Sequence, residues 1–231
     1  MTASDDRVQT APDTAAADPA KDLAKDPAKN PAKNPHGPDL VSLVGSRIAH
    51  DLNNPVGAIA NGVELLGLTG GADGPELALI NESVENARRR IKTFRIAFGA
   101  AAPGQVVAAG EIAELTAPGA DGRRLEIDWP VAGALPRSDA KAVFLALMCL
   151  ESAMPWGGRV LVRAAPGGWQ VAATADRMRL EPAHWLILEG GPLPADLPAN
   201  AVHFALLARE MDIRGTPITL THADTAVSLA F

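Results

Sequence analysis

A chain of 231 residues can hold one medium or two small domains with a real hydrophobic core, and its 47% apolar content is ordinary for a globular protein. A formal net charge of −6 leaves no basic excess for general binding to nucleic acid. The one cysteine, Cys149, excludes an internal disulfide and a cysteine-rich metal site. It lies in the apolar run Ala142–Leu150, which is far short of the ~20 residues that cross a bilayer, and it reads as a small core residue. The N-terminal stretch starts acidic and lacks the apolar segment of a signal peptide, so a cytoplasmic, reducing setting is expected.

Residues 1–37 read as a disordered low-complexity tail. The tetrads Ala-Lys-Asp-Leu, Ala-Lys-Asp-Pro, Ala-Lys-Asn-Pro and Ala-Lys-Asn-Pro follow one another over Ala20–Pro35. Their recurring prolines block a continuous helix, and almost no apolar side chain is available to bury. As a basic membrane-binding arm the segment is poor, because Asp22 and Asp26 offset its lysines.

A helical hairpin is expected over residues 38–100. Its first helix runs from about Pro38 to Leu68, Thr69–Gly74 supplies the turn, and Pro75 opens the second helix. Leu77, Ile80, Val84, Ala87, Ile91, Phe94 and Phe98 recur at alternating spacings of three and four, the pattern of a heptad seam. One hairpin cannot cover such a seam, whereas two can, as a four-helix bundle with two-fold symmetry; a homodimer is therefore expected.

A linker over 101–107 leads to a mixed region, 108–231. Arg124–Trp129 alternates as a half-buried strand, and Asp139–Met154 reads as a buried helix. Arg159–Ala165 and Trp169–Ala175 flank Pro166-Gly167-Gly168 as a β-hairpin. Pro182–Glu189 and Ala199–Asp212 read as helices, and Pro217–Thr221 with Ala226–Phe231 closes the sheet. The fold class is α+β: the hairpin, then helices on one face of a sheet.

The chemistry is concentrated in Arg47-Ile48-Ala49-His50-Asp51-Leu52-Asn53-Asn54-Pro55-Val56. At about 100° per residue, Ile48, Leu52, Val56, Ile59, Val63 and Leu66 share one side of the first helix. His50 falls nearly opposite, and Asn54, Gly57 and Asn61 extend a stripe from it. An exposed neutral imidazole is a competent nucleophile, and a phosphoramidate formed on it is a reactive donor. Asp51 is placed to bond the imidazole and set its tautomer, Asn54 to meet phosphoryl oxygens or a water, and Gly57 to let a partner approach closely. Pro55 removes a hydrogen bond to the Asp51 carbonyl. From periodicity alone, a merely solvated polar histidine is the stronger reading. His184, His203 and His222 have no chemical neighbours in sequence and read as satisfied structural histidines; no pair has metal-ligand spacing.

His50-Asp51-x-x-Asn54-Pro55 on the first helix of a dimerising hairpin resembles the phosphoacceptor box of sensor histidine kinases. With Ala58-Ile59, Gly62, Glu64-Leu65-Leu66 and the helix-two ending Arg95-Ile96-Ala97-Phe98-Gly99, all of Asp39–Phe231 resembles the ChpT-type alphaproteobacterial histidine phosphotransferases. The resemblance implies a four-helix-bundle dimer followed by a degenerate ATPase-like α/β sandwich. It implies catalytic roles for His50, Asp51 and Asn54. The implied activity is relay of a phosphoryl group between receiver aspartates of a hybrid histidine kinase and of response regulators, with no membrane or nucleic acid involved.

An ATP-binding domain of this kind needs asparagines to hold Mg²⁺ and glycines where the chain wraps the nucleotide. Met148 and Ser152 stand at the asparagine positions. Asp176-Arg177-Met178-Arg179-Leu180 stands for an Asp-x-Gly-x-Gly, and Asn200-Ala201-Val202-His203-Phe204 for a glycine-rich loop. No cofactor is therefore expected, and Mg²⁺ is expected to arrive with the partner receiver. In an antiparallel hairpin, Thr93 lies level with His50, which brings Arg88, Arg89, Arg90, Lys92 and Arg95 nearby. These form either a solvated face pairing with Glu82 and Glu85 or a surface that steers an acidic receiver. Arg47, Gly57, Asn61, Arg89 and Lys92 are the candidate receiver contacts. The rival functions are an ATP-dependent histidine kinase and a dimeric receiver-binding scaffold without transfer.

Overall fold

Asp39 starts the first helix. Its Oδ1 accepts hydrogen bonds from the backbone N–H of Val41 (3.0 Å) and Ser42 (3.3 Å), and its Oδ2 accepts one from the Ser42 hydroxyl at 2.6 Å. A side chain that satisfies orphan N–H groups this way fixes a helix N-terminus, so Pro38 precedes the helix instead of opening it. These bonds to the carboxylate hold Asp39 below the usual aspartate range, the Ser42 hydroxyl bond being the largest cause. The structure, a computed structural model, describes residues 37–69, 74–118 and 125–231. The tail repeats, the centre of the hairpin turn and Arg124 lie outside the described residues.

Helix α1 spans Leu40–Thr69 and α2 spans Pro75–Ala97, with proline at the start of α2 where its missing N–H costs nothing. The two helices approach closely at Gly62, where an added Cβ would lie 2.5 Å from Ile80 Cγ1. The apolar sides of both helices are only partly covered within one chain. Ile91 is 52% exposed, Val56 58% and Val63 57%, while Phe94 is buried and stacks on Phe98 at 5.3 Å.

The second region begins earlier than its composition suggests. Within the expected linker, Val106–Val107 forms strand β1, paired antiparallel with β3 (Leu135–Pro136), and Val107 is fully buried. Helix α3 (Ala109–Thr116) follows, an element absent from the sequence reading. The main sheet contains β2 (Leu125–Asp128), β4 (Gly158–Ala165), β5 (Gly168–Thr174), β6 (Thr219–Ala223) and β7 (Ala226–Ala230). Its order is β2-β4-β5-β7-β6, with β2 parallel to β4 and every other pair antiparallel. A parallel pair needs a long crossover, which α4 (Arg137–Ala153) supplies. Gly167, at φ +86°, makes the tight β4–β5 turn that a side chain would strain.

Val160, Val162, Val171, Ala173, Val227 and Leu229 are buried at every second position, so one face of the sheet is covered. Helices α4 and α6 (Val202–Arg214) pack together over that core, joined by α5 (Pro182–Leu188), whose Trp185 meets Phe204 edge-on at 5.2 Å. Every residue from Ala142 to Leu150 is buried, Cys149 included, because α4 also packs against α2. Burial raises the Cys149 thiol well above its usual value, which makes it inert packing. Arg137, at the start of α4, donates to the carbonyls of Arg95 (2.5 Å) and Ala100 (2.8 Å) and so caps the end of α2. The described residues all fall within one compact unit, Asn34–Phe231.

Candidate active site

Ten residues into α1, His50 projects into solvent with its side chain 76% exposed. Its Nδ1 lies 3.1 Å from Asp51 Oδ1. A carboxylate only accepts hydrogen bonds, so this contact makes Nδ1 the protonated nitrogen and leaves the Nε2 lone pair outward. Asn54, Gly57 and Asn61 are all exposed, as the helical stripe requires. No atom outside its own helix lies within 4 Å of where a Gly57 Cβ would stand. Pro55, in the middle of the helix, is buried.

Asp51 is the buried member of the site, with its side chain 9% exposed. Arg47, one turn earlier, donates from Nε to Asp51 Oδ2 at 2.7 Å. From the second helix, Arg90 Nη1 stands 3.8 Å from the same oxygen. Arg47 also donates from Nη1 to the main-chain carbonyl of Asn200 at 2.9 Å. That carbonyl belongs to a single 3-10 turn, Ala199–Ala201, directly before α6. From sequence, Arg47 is expected to be a receiver contact. Its side chain is instead 20% exposed and occupied on two sides.

The rest of the basic cluster divides among several partners. Arg88 pairs with Glu85 at 3.2 Å, as a solvated helix face would. Lys92, expected to meet a receiver, is held by Glu114 of α3 at 2.6 Å, and Arg95 by Glu111 at 2.7 Å. The Lys92 hydrogen bond and charge lower the Glu114 carboxyl below its usual value, with smaller contributions from Arg89 and Arg88. Water screens exposed pairs of this kind, so they add little to stability; α3 is seated by its buried Ile112 and Leu115, and the pairs mark where it lies beside α2. Helix α3 was missed in sequence because its eight residues give too short a window for periodicity.

Of the remaining histidines, His222 is exposed and His184 tilts against Phe204 at 5.4 Å. His203 departs from the expectation of a satisfied structural residue. It is 1% exposed, and neither ring nitrogen has a hydrogen-bond partner among the described residues. Burial, and then the charges of Arg47 and His184, lower its pKa to about 3. Among the described residues no cluster of three His, Cys, Asp or Glu side chains could hold a metal, and no helix is long and apolar enough to cross a membrane.

An exposed histidine on a two-helix hairpin, followed by a one-faced α+β domain, defines a phosphotransfer protein. Residues 109–226 match the histidine phosphotransferase C-terminal domain family. The chain is 36% identical to protein phosphotransferase ChpT of Brucella abortus (strain 2308) over 180 residues, 74% of this chain and 86% of that protein. A solved structure of a bacterial phosphotransferase superimposes with a TM-score of 0.68 at 28% identity, covering 83% of this chain and 94% of the other. A more distant likeness, TM-score 0.41 at 10% identity over 78% and 94% of the two chains, is to the histidine kinase AdeS of Acinetobacter baumannii. This chain belongs to the histidine phosphotransferase family and is a protein phosphotransferase.

Proposed function

We propose that the protein relays phosphoryl groups between receiver-domain aspartates through Nε2 of His50, working as a homodimer and without ATP of its own. One observation carries the reading: the exposed His50 ring has its Nδ1 against a buried carboxylate, so the nucleophilic nitrogen faces the solution.

In the forward step Nε2 attacks the phosphorus of a receiver aspartyl phosphate in line. The Nε2–P bond forms as the P–O bond to the carboxylate breaks, and that bond's electron pair returns to the receiver aspartate. The imidazole keeps its Nδ1 proton and becomes cationic, and Asp51 stabilises the developing charge. Asn54, one turn from His50, lies where an amide N–H can reach phosphoryl oxygens, whereas Asn61, three turns on along the same stripe, meets the receiver. The return step is the reverse, onto a second receiver. The donor is the receiver of a hybrid kinase and the acceptors are response regulators. Any Mg²⁺ comes with the receiver, since the Asp51 carboxylate beside His50 is already taken up by Arg47 and the His50 ring itself.

Three features support the absence of ATP use. Met148, at an asparagine position of ATP-using relatives, is packed in the apolar core. The Ser152 hydroxyl donates to the Cys149 carbonyl of its own helix at 2.6 Å. In the segment that replaces the glycines, Arg177 lies 4.1 Å from the Trp156 ring centroid and the Arg179 N–H is bound to the Ala153 carbonyl. The dimer is supported by Val56, Val63, Val84 and Ile91, an apolar seam that one chain leaves in water.

The test is to incubate the protein with labelled ATP, then with a labelled phosphoreceiver. Label only from the receiver, lost in His50→Ala and His50→Gln with the circular dichroism unchanged, is expected. Label taken directly from ATP would mean a kinase, and none from either source a scaffold.

A further inference from the structure

Asp51 can orient His50 only if its own carboxylate is held still, and what holds it comes from three parts of the chain. Arg47 uses two edges of one guanidinium: Nε binds Asp51 Oδ2 at 2.7 Å, and Nη1 binds the Asn200 carbonyl at 2.9 Å. The first contact is within α1, and the second reaches 153 residues along the chain to the corner before α6. Arg90, from α2, stands off at 3.8 Å from the same carboxylate oxygen. With Oδ2 fixed by Arg47, Oδ1 is left directed at His50 Nδ1. Without Arg47, Oδ2 keeps only the longer contact to Arg90, and the hydrogen bond that turns Oδ1 toward the imidazole is lost.

We infer that Arg47 is a positioning residue for phosphoryl transfer, and that the second domain takes part in the chemistry by holding Arg47 through the Asn200 carbonyl. The inference rests on His50 being the acceptor, as proposed above. It assigns to the degenerate domain a task at the transfer site itself, separate from docking partners. A planar fork is required, because a lysine ammonium reaches one of the two acceptors and not both in fixed geometry. The surroundings suit a fixed cation, since the neighbouring His203 is buried and adds no competing charge.

The test separates positioning from docking by two readouts. The first is the tautomer of His50, read from the ¹⁵N shifts of its ring nitrogens in Arg47→Ala and Arg47→Lys. The wild-type protein is expected to hold the proton on Nδ1, and both variants to lose that preference. Lysine keeps the charge that docking needs but lacks the fork. The second readout is transfer from a labelled phosphoreceiver. Both variants should slow ~10-fold with receiver affinity within about twofold, an effect the size of one orienting hydrogen bond. The double variant Arg47→Ala/Asp51→Asn should be no slower than Asp51→Asn alone, because Arg47 acts through Asp51. An unchanged tautomer, additive rate losses, receiver affinity falling in step with rate, or full activity in Arg47→Lys would each overturn the inference. The tautomer measurement stands whether or not His50 takes the phosphoryl group, whereas label surviving in His50→Ala sinks the relay reading alone.

Discussion

Replacing His203 with leucine should make the protein markedly more resistant to acid, by an amount that follows from its burial. In the folded chain the ring is held neutral down to pH about 3, whereas an unfolded histidine takes up a proton near its ordinary 6.5. The folded pKa is depressed, so the unfolded state binds the extra proton as pH falls. Stability is therefore complete above the unfolded pKa and lost progressively from pH 6.5 down to about 3. The full cost at the acid end is of order 5 kcal/mol, and at pH 5 it is already ~2 kcal/mol. Wild-type and His203→Leu proteins would be unfolded in urea at one fixed concentration, near pH 7.5 and again near pH 5. Other titrating groups, such as Glu210 with its lowered carboxyl, are common to both proteins and cancel. Whatever the gap in stability near pH 7.5, it should move by ~2 kcal/mol in favour of leucine near pH 5, or about 4–8 °C in Tm. A gap that is the same at both values would refute the reasoning, because it would show His203 protonating freely in the folded state.

Val84→Asp with Ile91→Asp places charge on seam positions that are exposed within one chain; light scattering should report the mass of a monomer with helicity retained, and a persistent dimer would contradict the bundle. Gly57→Leu has open space around it in its own chain, so folding should be unaffected while receiver Kd, measured by calorimetry, weakens ~10-fold or more. Unchanged affinity would remove Gly57 from the docking face. Arg137→Ala deletes the caps on the Arg95 and Ala100 carbonyls and should cost ~1.5–3 kcal/mol in chemical denaturation; no loss would mean water replaces it freely.

The elements legible in the sequence were those long enough to show a period. The hairpin, the buried helix α4, the β4–β5 turn at Gly167 and the final strand pair all appear close to their expected positions. The exposed stripe His50, Asn54, Gly57, Asn61 was equally legible, because helical geometry fixes it from spacing alone. Short elements escaped: two-residue strands such as β1 and β3 carry no pattern, and Val107 is buried by a partner that local sequence does not name. The partners of charged side chains escaped for a related reason. Lys92 meets Glu114 and Arg47 meets a backbone carbonyl near residue 200, and both pairings exist only once the chain has folded back. A main-chain carbonyl carries no residue-type signal at all.

Arg137 on the end of α2, and the two glutamates of α3 on Lys92 and Arg95, tie the second domain to the hairpin by its root. A partner that touches both therefore meets a composite face whose register was set at folding, so none of the ordering entropy falls due at the moment of encounter. The same ties remove any need for the domain to swing toward the histidine. A domain that need not travel can be packed for rigidity throughout, and Met148, folded into its core, is one of the side chains that does so.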